Sequence, residues 1–198
     1  MFTNKIQEAE KEYGSGQQPR FKFKPGVNRV RILAGGEPIA THWIGDKGVT
    51  CVGKDKGCGY HGANAPIDKR TGKEVKPSVK FAVYLLDRAD ESNFIHLVFL
   101  PWSVVKALDD FAQDDDYKFE TLPMPYDISV KFDPDASPAD MYKVIPSPKR
   151  EQVSEEIVEQ LSKLKPVKEI VQKIKDKTKG NAPDDEPTTT ETTEDLPF

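Results

Sequence analysis

Residues 20–35, RFKFKPGVNRVRILAG, alternate charged and apolar residues twice, over Arg20–Lys24 and again over Asn28–Ile32, with Pro25-Gly26 between the two runs. Successive side chains of a strand point to opposite faces, so the pattern predicts two antiparallel strands joined by a tight connection. Each would carry one apolar and one cationic face. Working outward, SVKFAVYLLD (78–87), NFIHLVF (93–99), PYDISVKFD (125–133) and MYKVIP (141–146) read as further strands, the last two as a hairpin. Pro101 opens a helix that runs to about Ala112. Five or so strands with short turns predict a mainly β fold, a small barrel or sandwich.

The flanks differ in texture. TNKIQEAEKEY (3–13) reads as a short helix, part of an arm over residues 1–18. The β core is expected over 19–148, with an irregular insertion at 41–77 rich in Gly, Lys and Pro. In 149–179, Ile157, Leu161 and Leu164, then Val167, Val171 and Ile174, fall at helical spacing on either side of Pro166, which predicts two short amphipathic helices. Residues 180–198 have no periodicity and are expected to form a disordered acidic tail.

Charge is sorted along the chain. Residues 1–80 carry 15 Lys and Arg against 8 Asp and Glu, and residues 81–140 carry 4 against 13. The next 40 residues carry 10 against 6, and residues 181–198 carry 0 against 6. A basic front beside an acidic appendage suggests a polyanion-binding surface. No apolar run suits a signal peptide or a membrane span, so a reduced, cytoplasmic protein is expected. No nucleotide-binding, hydrolase or metalloprotease motif occurs, and the acidic run Asp114-Asp115-Asp116 lacks a general base, so no enzyme is predicted.

The insertion holds the strongest chemical signal. THWIGDKGVTCVGKDKGCGYH (41–61) contains both cysteines and two of the three histidines, spaced His42-x8-Cys51-x6-Cys58-x2-His61. Two imidazoles and two thiolates are a full tetrahedral set for Zn²⁺, and four protein ligands mark a structural rather than a catalytic site. A loop this poor in apolar residues also needs a substitute for a core, and metal binding couples directly to folding.

The strand faces suggest a second site. If Val30 and Ile32 face the core, Arg29 and Arg31 project from the opposite face, as Lys22 and Lys24 do opposite Phe21 and Phe23. Lys80 and Tyr84 would share the outer face of the next strand. Tyr84, with Phe94 and Trp43, would then offer stacking platforms beside phosphate-binding cations, which is how single strands are held without sequence preference. The chain ends Asp195-Leu196-Pro197-Phe198, an apolar tip on an acidic tether suited to docking on a partner protein.

Together VNRVRILAG, THW…C…CGYH, SVKFAVYLLD, NFIHLVFLPWSVVKAL, PYDISVKF and the ending EDLPF resemble the phage single-stranded DNA-binding proteins of the T-even helix-destabilising type. His61 stands where that family's pattern has a Cys. The resemblance implies a five-stranded OB-fold core with an inserted zinc subdomain and peripheral helices. It implies a protein that coats single-stranded DNA in bacteriophage replication, recombination and repair, and that recruits partners through its C-terminal tip. Self-association is compatible with it. From the residues alone, a zinc-stabilised protein-interaction adaptor without single-strand preference is the competing expectation.

Overall fold

The computed structural model describes residues 21–44, 47–68 and 70–179. The helix expected over 3–13 and the tail over 180–198 lie outside these residues. The double alternation at 20–35 does not form a hairpin. Residues 21–25 are not strand, and a single strand, β1, runs from Gly26 to Ile44. It is followed by β2 (Lys47–Cys51), β3 (Ser78–Asp87), β4 (Ile95–Pro101), α1 (Trp102–Gln113), β5 (Tyr126–Phe132), β6 (Tyr142–Arg150), α2 (Glu155–Ser162) and α3 (Val167–Lys179).

β1 is the spine of the sheet. Its first residues, Gly26–Val30, pair with β5, its middle, Val30–Thr41, with β3, and its end, Ala40–Ile44, with β2, all antiparallel. The strand order is β4-β3-β1-β5-β6, with β2 on the far end of β1. A 19-residue strand stays paired to three partners only by bending, and it does so at two register shifts, between Ile32 and Ala34 and between Gly35 and Glu37.

Gly35 makes the second bend possible. Its φ is +113°, and a Cβ there would lie 2.6 Å from the Ala82 carbonyl oxygen and 2.8 Å from the Val83 Cα, both backbone atoms that cannot step aside. Gly35→Ala is therefore expected to destabilise the protein by about 2–4 kcal/mol, from backbone strain and overpacking together. Gly36→Ala, with φ +102° but open space around it, is expected to cost about 1 kcal/mol from strain alone. Equal midpoints for the two variants in thermal denaturation would refute this account of the bend.

The sheet is open, which corrects the expected OB-fold barrel. Among the described residues the edge strands β4 and β6 do not pair with each other. α1 packs against both β4 and β6, where closure would have to occur. With three helices on this sheet, the protein is a mixed α and β fold rather than a mainly β barrel.

Each face of the sheet is covered. On one face Val30, Ile32, Val83, Leu85, Val98, Leu100, Tyr126, Ile128 and Val130 pack with Val104 and Leu108 of α1. The apolar residues of α1 recur at helical spacing, which turns one side of it to the sheet. On the other face Leu33, Ala82, Tyr84, Leu86 and Ile95 pack under Ile157 of α2 and Val167 and Val171 of α3. The alternation expected for β3, with an outer Lys80–Ala82–Tyr84 face, is thus replaced by burial on both sides from Ala82 to Leu86. The continuous apolar run AVYLL is the local signal for a doubly covered strand.

Candidate metal centre

The metal centre starts from the β1–β2 hairpin. His42 pairs with Val49 and Ala40 with Cys51, so His42 and Cys51 are diagonal neighbours whose side chains leave the hairpin on one face. The chain then turns through short 3-10 segments at Lys54–Lys56 and Gly62–Asn64, which bring Cys58 and His61 back over them. Gly57, with φ +80°, makes the turn into Cys58. One ligand atom from each of the four residues lies within 4.8 Å of the others. Cys51 Sγ is 3.2 Å from His61 Nε2, and Cys58 Sγ is 3.5 Å from His42 Nε2.

These separations fit a tetrahedral ion. With Zn–S near 2.3 Å and Zn–N near 2.0 Å, the donor atoms of a zinc tetrahedron stand about 3.3–3.8 Å apart. His42 is buried, with its Nε2 turned to Cys58 Sγ and its Nδ1 without a hydrogen-bond partner. Burial, then the neighbouring His61 imidazole, hold His42 below its ordinary pKa against the pull of Glu74, which favours the neutral, ligating form. Burial pushes the Cys51 thiol up, and the Cys58 thiol adds to that, while the Gly53 backbone N–H and Lys175 oppose it. A dication reverses this cost by taking the thiolates as ligands. The four residues form a site for one structural Zn²⁺, and His61, the position that departs from the phage pattern, is brought in with the rest.

The metal replaces a core here. Between residues 47 and 77 only Cys51 and Ala65 are buried among the described residues. Lys47, Lys54, Lys56, Arg70, Lys73 and Lys76, with Trp43, Ile44 and Ile67, are exposed.

The expected DNA-binding residues do not form one surface. Tyr84 is 6% exposed, beneath α2 and α3, and its hydroxyl donates to the Lys165 carbonyl at 2.8 Å. Burial pushes that hydroxyl above its ordinary pKa, and no base can stack on the ring. Arg31 is 1% exposed. Its Nε donates to Asp127 at 2.6 Å and its Nη1 to the Glu151 carbonyl at 2.7 Å. Arg29 and Arg88 reach the same carboxylate, at 2.9 and 3.1 Å. The paired arginines of β1 are thus a clamp on a buried aspartate, a role that needs tertiary contact with β5 and has no local signature.

Lys22, Lys24 and Lys80 are exposed, and Phe94 is half-buried with its ring 5.0 Å from His96. Trp43 is 48% exposed, and its Nε1 donates to Ser78 Oγ at 3.1 Å. Asp195, Leu196, Pro197 and Phe198 lie outside the described residues. No helix among those described is long and apolar enough to cross a membrane.

Fold and site together define an open-sheet α and β domain with a His₂Cys₂ zinc centre at one end. The chain matches no family model, no curated protein and no solved structure. The resemblance to phage single-stranded DNA-binding proteins is therefore not upheld. With it fall the OB-fold and the assignment to coating single strands in replication, recombination and repair. An open sheet, the loss of Tyr84 and Arg31 to the interior, and the absence of any match are the findings against it.

Proposed function

We propose that the protein is a non-enzymatic, zinc-stabilised adaptor of a reducing cytoplasm, and that its zinc-braced loop docks acidic segments of partner proteins. The observation that carries this reading is the metal cluster itself, which fixes a loop with almost no core so that its side chains point outward. Exposed Lys54, Lys56, Lys73 and Lys76 surround a segment that also presents Trp43 and Ile67. α3, which packs against β2, adds Lys175, whose charge reaches Cys51. Cations ringing exposed apolar side chains suit a partner with the opposite charge and an apolar contact of its own.

The test is fluorescence anisotropy with three labelled probes: an Asp/Glu-rich peptide with a central Leu-Phe, an oligo(dT) and its matched duplex. The peptide is expected to bind saturably, more weakly as salt rises. Trp43→Ala should weaken it about tenfold or more, as expected for an aromatic anchor. The two nucleic acids should bind alike, through charge alone. Binding to oligo(dT) that is tighter than to duplex and peptide would overturn the adaptor reading.

A further inference from the structure

α1 and the sheet enclose an apolar cavity of about 230 Å³ that opens to the surface. Its walls include Phe81, Val83, Leu100, Leu108, Phe119 and Met124. That is smaller than the roughly 300–1,000 Å³ of pockets that take drug-sized ligands, and suits a single large apolar side chain. Phe81 continues outward to Trp102, with ring centroids 5.6 Å apart, and Trp102 is 58% exposed. An exposed tryptophan bordering an apolar cavity is the arrangement from which interface anchors are built.

Charge identifies the occupant. Asp109 is the one charged residue in the cavity wall. Its carboxylate accepts a hydrogen bond from Gln113 Nε2 at 3.2 Å. Next to it in sequence come Asp110, Asp114, Asp115, Asp116 and Glu120, all exposed, against three cations: Lys106, Lys118 and Arg150, whose Nη2 donates to the Asp116 and Lys118 carbonyls at 3.1 and 3.2 Å. None of these six carboxylates is in an ion pair among the described residues. An apolar hole with a carboxylate in its wall, beside a stretch in which six carboxylates outnumber three cations, is complementary to a segment with one large apolar anchor flanked by Lys and Arg. We infer that the cavity under α1 docks such a basic peptide of a partner protein. This gives the molecule a second surface, opposite in charge to the zinc loop and independent of what that loop binds.

The probe is a labelled 12-residue peptide with one Phe among Lys and Arg, titrated into the full zinc-loaded chain. One control carries Ala for Phe, and the other carries Glu for every Lys and Arg. Only the parent peptide should bind well. Its affinity should fall about tenfold or more with Trp102→Ala and with Asp109→Lys, both at exposed positions that leave the core intact, and stay unchanged with Trp43→Ala. Ala112→Leu, which fills the cavity from its wall, should also abolish binding while melting normally. Binding that survives Trp102→Ala and Asp109→Lys, or equal binding of the Ala control, would overturn the inference. Two other occupants would overturn it as well. Oligo(dT) competing for Trp102 would point to a planar base, and a dimer that Trp102→Ala dissociates in sedimentation would point to a second copy of the chain.

Discussion

Chelation of the zinc is expected to release residues 52–77 while leaving the sheet folded. Beyond Cys51 the loop has only Ala65 buried, and apart from local backbone bonds such as Val75 N–H to the Pro66 carbonyl, the metal is what opposes its conformational entropy. The sheet needs no such help, because both of its faces are covered by apolar clusters that exclude the loop. Structural zinc contributes apparent free energies of about 10–16 kcal/mol in small zinc-finger peptides. A fraction of that coupling is enough to change tryptic cleavage at Lys54, Lys56, Arg70 and Lys73 on the order of 100-fold, since cleavage follows the population of the open loop. The purified protein should carry one zinc per chain. His42→Ala and Cys51→Ser should each mimic chelation, whereas the far-UV circular dichroism of the sheet should be little changed. Identical tryptic patterns with and without chelator would show that the loop is held by something else.

Asp127→Ala is expected to be the most destabilising single change in the sheet, by about 3–5 kcal/mol, as when one partner of a buried ion pair is removed. Asp127 is buried and receives three guanidinium groups. Without it, Arg29 and Arg88 can turn to solvent, but Arg31 cannot, and one of its terminal nitrogens, Nη2, already lacks a partner. At about 2–4 °C per kcal/mol for a chain of this size, the midpoint should drop by roughly 10 °C. The double variant Arg31→Met, Asp127→Leu removes both buried charges and should recover most of the loss. If it melts as low as Asp127→Ala, shape rather than charge is what the clamp supplies.

The zinc centre was legible in the sequence because its ligands lie within 20 positions and their chemistry is set by residue type. Strands β3, β5 and β6 and the helices on both sides of Pro166 were legible for a similar reason, since hydrophobic period and proline act locally. β1 was misread. Pro25-Gly26 resembles a turn, but the chain before it is not strand, and the true bends fall between Ile32 and Ala34 and between Gly35 and Glu37. Tyr84 and Lys80 stand four residues apart on one strand, and alternation assigns both to the same outer face. That α2 and α3, more than 70 residues further on, return to bury Tyr84 and leave Lys80 exposed is a matter of long-range packing.

What the sequence determined by itself, then, is the identity of the four metal ligands and most of the elements. Each depends on spacing or periodicity within a short window. Only the tertiary structure decided that the sheet stays open, that Arg31 and Tyr84 face the interior, and that an apolar cavity with Asp109 in its wall lies under α1. Those outcomes depend on which distant segments meet. Burial is a property of the partner that covers a residue as much as of the residue itself.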